Sequence, residues 1–313
     1  MNTEVILWSG FALLIGVMLV LDLGVFNRKS HEIGFREAVC WTVVWASLAL
    51  GFNTWIYFEM GREKALEFLA GYLIEQSLSV DNLFVFIMIF SFFHVGRNHQ
   101  PKILKWGIFG ALAMRAVFIL AGIGLIQRFS WTTYLFGTIL IVTGAKMLFG
   151  GEEQIEPEKN FAVRLVRRFM PITKRIRSDR FFVRRGGITA ATPLFLTLVV
   201  VESSDVIFAV DSIPAVLSVT RDPLIVYTSN AFAVMGLRSL YYLLANVMGM
   251  FSYLKLGVSF ILVFVGIKML LSHSSWSISI TFSLGVIFGV LALSVITSVL
   301  FGTKKGKRHG TGG

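Results

Sequence analysis

Residues 199–216 read VVVESSDVIFAVDSIPAV, an apolar run long enough to lie within a bilayer that still holds Glu202, Asp205 and Asp211 within ten positions. A charged side chain at the centre of a membrane helix costs about 2.5–3.5 kcal/mol on the insertion scale, against a gain of about 0.3–0.6 for each Leu or Ile. Three carboxylates in one span are sustained only where they face cations, one another or a wet cavity inside a helical bundle.

The rest of the chain supports that setting. Of 313 residues, 55% are hydrophobic and only 15% charged, with a mean hydropathy of +0.74, well on the membrane side of soluble-domain composition. Hydrophobic runs predict nine spans, at about 5–26, 38–58, 66–93, 103–127, 131–149, 188–219, 224–248, 254–272 and 277–301. The first has Glu4 and no basic residue on its amino side, so it reads as a retained helix rather than a cleaved signal. The expected fold is an all-α polytopic membrane protein. Spans one and two (5–58) are peripheral, 66–149 and 188–272 form two units, 277–301 is a last helix, and 302–313 is a basic tail.

The net charge of +11 is distributed in a way that excludes a nucleic-acid role. Lys and Arg in or beside the loops divide 21 to 4 between alternate sides. By the positive-inside rule the amino terminus is outside, the carboxyl terminus cytoplasmic and the number of spans odd. The long connection at 150–187 interleaves Arg164, Arg167, Arg168, Lys174, Arg175 and Arg177 with Phe161, Leu165, Phe169 and Ile172. Its region 159–185 is expected to lie on anionic lipid headgroups. The single Cys40 allows no internal disulfide.

Four cations, Arg115, Lys146, Arg238 and Lys268, lie inside the predicted spans, with Asp22, Glu75, Asp81, Glu202, Asp205 and Asp211. Their order repeats. EQSLSVDN (75–82) matches DVIFAVDS (205–212), AMRAVF (113–118) matches GLRSLY (236–241), and TGAKMLFG (143–150) matches VGIKMLLS (265–272). Each unit covers three spans, an odd number, so the two enter the membrane from opposite sides. Secondary transporters commonly use this plan, with substrate sites at the interface between inverted repeats.

Glu75, Asp81, Asn82, Glu202, Asp205, Asp211 and Ser212 offer carboxylate, amide and hydroxyl oxygens. That set suits a hard divalent cation such as Mg²⁺, Ca²⁺ or Mn²⁺. Within each motif the two acids six residues apart fall on different helix faces, so one ion reaches both only if the helix unwinds locally. Pro193 and Pro214 flank the second motif and supply a cause for such unwinding. Arg115, Arg238, Lys146 and Lys268 are expected to compensate the acids, and a purely structural role in ion pairing is the competing reading for these four. Met147 and Met269 read as packing residues. Gly285 and Gly289 allow close helix contact but define no oligomer.

At GYLIEQSLSVDNLFVF (71–86), VVVESSDVIFAVDSIPAV and FFVRRGG (181–187) the chain resembles the TerC family of integral membrane proteins, in its Alx-type branch. The resemblance implies export of Mn²⁺ from the cytoplasm across the bacterial inner membrane, with a link to alkaline pH. It also marks Glu75, Asp81, Glu202, Asp205 and Asp211 as candidate ligands. Mn²⁺ is then cargo, no prosthetic group is expected, and H⁺ is the expected coupling ion. With no P-loop in the sequence, neither ATP drive nor enzymatic activity is expected. The alternatives are export of another hard cation such as Ca²⁺, or a membrane assembly or stress-response factor whose buried ion pairs hold helices together.

Overall fold

The computed structural model describes residues 9–11, 13, 15–16, 34–149, 161–173, 180–185, 188–247, 253–271 and 278–301. Most of the first expected span, Asp22 included, lies outside them. From residue 34 on, the described residues form nine helices and one hairpin, in order: α1 (Phe35–Met60), α2 (Arg62–Phe92), α3 (Gln100–Arg128), α4 (Thr132–Phe149), α5 (Phe161–Phe169), β1 (Phe182–Arg185), β2 (Ile188–Ala191), α6 (Pro193–Leu217), α7 (Pro223–Val247), α8 (Leu254–Leu271) and α9 (Ile280–Phe301). Six helices among the described residues are long and apolar enough to cross a bilayer: α1, α2, α3, α4, α6 and α9. In a medium without water, a helix is the way one segment satisfies its own backbone. The protein is an all-α membrane protein with several apolar helices.

Local breakers set the boundaries. Gly61 separates α1 from α2 at φ +89, a conformation that favours glycine. His94, at φ 51, follows the end of α2. Pro101 and Pro193 sit in the first turns of α3 and α6, and Pro223 opens α7, where a missing N–H costs least.

Two expectations are corrected here. The sixth span was expected from residue 188, but residues 188–191 form β2, paired antiparallel with β1, and the helix starts at Pro193. Thr192 is extended, as a residue before proline prefers. The local unwinding expected around Pro193 and Pro214 is also absent. Pro193 merely starts α6, and Pro214 lies in its last turn, where one missing donor leaves the helix continuous to Leu217. α2 likewise runs unbroken through Glu75–Asn82. The acids of each motif therefore stay on separate helix faces.

The two triplets, α2–α3–α4 and α6–α7–α8, are interleaved. Between the triplets the most extensive packing is α4 on α8, α2 on α7 and α3 on α6, followed by α3 on α7 and α2 on α6. Contacts within either triplet are sparse. Exchanging the triplets leaves this set of pairings unchanged. At the α4–α8 crossing a Cβ on Gly137 would stand 3.0 Å from the Gly266 carbonyl oxygen, and one on Gly144 would stand 2.8 Å from that of Ser259. Those two contacts also exchange under the alignment that pairs Lys146 with Lys268. α1 covers α7 and α2, while α9 covers α8 and α2.

Candidate functional site

The centre of the bundle is ionic. Arg115 of α3 and Glu75 of α2 are fully buried and bonded through Nη1 and Oε1. Arg115 Nη1 also donates to Asn230 Oδ1 on α7 at 3.0 Å, and Nη2 reaches Asp205 Oδ1 on α6 at 3.4 Å. Asn230 Nδ2 in turn donates to Glu75 Oε2 at 2.8 Å. One guanidinium thus joins all four central helices, and both oxygens of Glu75 are taken. A buried ion pair recovers its desolvation cost only when its remaining atoms are also satisfied, and Asn230 does this for Glu75. Sequence reading missed Asn230 because a lone amide in an apolar helix has no pattern.

Asp205 is different. It is buried, yet among the described residues its Oδ2 finds no hydrogen-bond partner, and neither do Arg115 Nε, Asn82 Nδ2 or Ser212 Oγ. Asp205 and Glu202, one turn apart on α6, both line a small cavity with Gly107 and Ala111 of α3, Phe86 of α2 and Val234 of α7. Its volume of about 20 Å³ gives room for a water molecule or a bare ion. The Glu202 carboxylate rests against α3 at Gly110, where a Cβ would overlap it. Any side chain at 110 would push Glu202 aside, a constraint visible only once α3 and α6 are seen to touch. The cavity lies between the ionic centre and the end of the bundle that carries α5 and the hairpin.

The remaining predicted residues are dispersed. Asp211, half-buried, accepts from Thr143 Oγ1 of α4 at 2.9 Å and lies within electrostatic reach of Lys146. Arg238 is buried near Tyr242, one turn further along α7. Lys268 is buried within reach of Glu67. Asn82 and Ser212 are buried in α2 and α6. Asp81 belongs to α2, and its side chain lies outside the described residues. Among the described residues, no three Asp, Glu, His or Cys side chains converge on one metal position. The structure brings Glu75, Arg115, Asp205 and Glu202 together and leaves Asp211 with Thr143 and Lys146.

The opposite end of the bundle is tied together by a second polar cluster. Glu67, early in α2, accepts from Lys64 Nζ at 2.9 Å and from Thr220 Oγ1, just beyond α6, at 2.6 Å. Lys64 also bridges to Asp222 at 3.3 Å, and Asp222 Oδ1 caps α7 by accepting from Leu224 N–H at 3.1 Å.

A bundle of apolar helices around a buried charge network and a carboxylate-lined cavity defines a polytopic integral membrane protein with a polar interior. Residues 60–307 match the family described as "Integral membrane protein TerC family", and the chain belongs to it. It is 46% identical over 294 residues to the uncharacterized membrane protein STKORF319 of Myxococcus xanthus, covering 94% of this chain and 92% of that protein. It is 45% identical to the putative membrane-bound redox modulator Alx of Escherichia coli K12, over 97% of this chain and 98% of the relative. An uncharacterized membrane protein of Rickettsia bellii is 37% identical, over 94% and 97% of the two chains. No solved structure matches.

Proposed function

We propose that the protein is a secondary transporter that moves Mn²⁺ out of the cytoplasm across the bacterial inner membrane, through the cavity beside Glu202 and Asp205. The observation that carries this reading is that Asp205, whose buried Oδ2 has no hydrogen-bond partner among the described residues, lines the same cavity as Glu202. Glu75 and Asp205 share one guanidinium, that of Arg115, and Glu202 stands one turn from Asp205 on the wall of the same cavity. When ionised, the group carries two net negative charges, the complement of one divalent cation. Two carboxylates plus retained waters make a hard, incomplete oxygen shell suited to an ion that must also leave. Glu75 acts as a fixed counter-ion in this conformation, and Asp81, Asn82, Asp211 and Ser212 serve as ligands or relays on either side of the centre.

Orientation follows the positive-inside rule, with the amino terminus outside, so the cavity lies on the cytoplasmic side of the centre and the Lys64–Glu67–Thr220 ties on the external side. The triplets are read as an inverted repeat, supported by pairings that survive their exchange. Because the triplets interleave, they do not rock as two bodies. The moving parts are the pairs α3–α6 and α2–α7, which face each other across the cavity and exchange under the repeat. Outward movement of two charges against an inside-negative potential costs about 4.6 kcal/mol at 100 mV, at about 2.3 per charge, and exchange with protons supplies it.

The test is purified protein in liposomes containing a Mn²⁺-quenched dye, with Glu202→Gln and Asp205→Asn beside the unaltered chain. Quenching by the unaltered protein that both variants lose supports the reading. Absence of Mn²⁺ movement by the unaltered protein leaves the scaffold alternative, for which the Arg115 network joining four helices is the supporting observation. Ca²⁺ competing better than Mn²⁺ would change the cargo.

A further inference from the structure

α5 has a wide apolar face, and the protein covers only half of it. At about 100° per residue, Ala162, Val163 and Val166 share one side, and Phe161, Leu165 and Phe169 form an adjoining stripe in 40° steps. Val163 is buried and Val166 packs beside it, in a cluster with Leu194 of α6 and Leu104 of α3. The adjoining stripe is bare: Phe161 is 72% exposed, Leu165 44% and Phe169 75%. Arg164 and Arg168, both exposed, flank it on the side away from the docked face.

The surroundings indicate what covers this stripe. α5 docks on the first turns of α6, a helix apolar enough to cross a bilayer. Met170–Thr173 then lead into the hairpin, where Ala191 N–H donates to the Pro171 carbonyl and Thr173 N–H to the Ala191 carbonyl, each at 2.9 Å. Next to the hairpin, Phe181 sits under Lys102 Nζ at 4.6 Å and edge-on to Trp106, which is half exposed on the outer surface of α3. Trp and Lys at the end of a membrane helix mark headgroup depth. Phe182 and Arg184 of the hairpin are exposed at the same end.

We infer that α5 and the β1–β2 hairpin form a platform for anionic phospholipid. Phe161, Leu165 and Phe169 enter the acyl boundary, while Arg164, Arg168 and Arg184 take the phosphates. A partly inserted helix with an apolar stripe beside a basic one is the form that interfacial anchors take. The platform also clamps α3 to α6 through Phe181, Trp106 and Phe195, so lipid seated on it bears on the two helices that supply most of the cavity wall.

The experiment is hydrogen exchange on full-length protein in nanodiscs of phosphatidylcholine alone and with phosphatidylglycerol. Amides of 161–169 are expected to exchange more slowly with the anionic lipid. The difference should shrink by about fivefold for each arginine removed in Arg164→Gln, Arg168→Gln and Arg184→Gln, and the Lys versions should keep most of it. Exchange in α2 and α7 serves as the control for folding. Equal exchange in both lipids overturns the inference, as does equal protection by free glycerol phosphate in phosphatidylcholine discs, which would identify an anion site and not a membrane surface. The outcome is independent of whether Mn²⁺ is the cargo.

Discussion

Arg115 and Asp205 belong to different helix triplets, 90 residues apart in the chain, yet Nη2 lies 3.4 Å from Oδ1 at the centre of the bundle. The same guanidinium holds Glu75, so removing it strands two carboxylates at once. Breaking a buried pair from one side costs about 3–5 kcal/mol, whereas removing both charges is far less costly. Arg115→Met is expected to lower the thermal unfolding temperature in detergent sharply, and adding Glu75→Gln to restore much of the loss. If the double variant is as unstable as the sum of the two single changes, the pair is not the unit described here.

Gly110 and Gly124 lie on the same helix in opposite circumstances. A methyl at 110 would overlap the Glu202 carboxylate, while one at 124 meets nothing within 4 Å. Gly110→Ala is expected to reduce Mn²⁺ transport at least tenfold with the protein still folded, because Glu202 is the group that shifts. Gly124→Ala is expected to be neutral or slightly stabilising, since alanine favours a helix by about 1 kcal/mol over glycine. Transport and melting temperature of the two variants, measured side by side, decide the point.

Separation of α2 from the end of α6 in the proposed cycle requires the 2.6 Å contact of Glu67 and Thr220 to break. In a Cys40→Ser background, Glu67→Cys with Thr220→Cys should, once joined by a short reducible bis-thiol linker, stop transport, and reduction should restore it. Gly71→Cys with Ser229→Cys joins α2 to α7, which move together, so oxidation there should leave transport intact. The built Cβ of Gly71 lies 3.3 Å from that of Ser229, within reach of a disulfide after a small adjustment. Inhibition by both cross-links would rule out the proposed pairs.

The α4–α8 crossing depends on small residues. Gly137 and Gly266 each bring backbone to within about 3 Å of where the other helix would carry a Cβ. Gly137→Leu or Gly266→Leu forces the helices apart and should destabilise the protein by about 1–3 kcal/mol. Gly285→Leu on α9, where nothing lies within 4 Å, should cost little. Detergent melting curves of the three variants test this.

Much of the architecture was legible because burying charge in a membrane is costly enough to leave a pattern. Arg115 in AMRAVF had to have an acid nearby, and the structure supplies Glu75 and Asp205. Glu202 and Asp205, three residues apart, had to share a face, and they share the cavity. Other features depend on contacts between distant helices. Asn230 is an unremarked amide until α7 lies against α2, and Gly110 is one glycine among 29 until α3 meets α6. Pro214 misled because a proline in a last turn removes a hydrogen bond that the helix hardly needs. The start of the sixth helix was misplaced because Ile188–Ala191 is apolar enough to pass for membrane but pairs as a strand.

The interleaving of the triplets has a consequence for biogenesis. Synthesised from its amino end, the chain delivers Arg115 to the bilayer 90 residues before Asp205 and 115 before Asn230, and Glu75 155 residues before Asn230. Since α2, α3 and α4 make few contacts with one another, the first triplet has little core of its own while the ribosome completes the second. Nascent chains halted near residue 150 should therefore be degraded quickly or held by the insertion machinery, and the protein should mature in one late step.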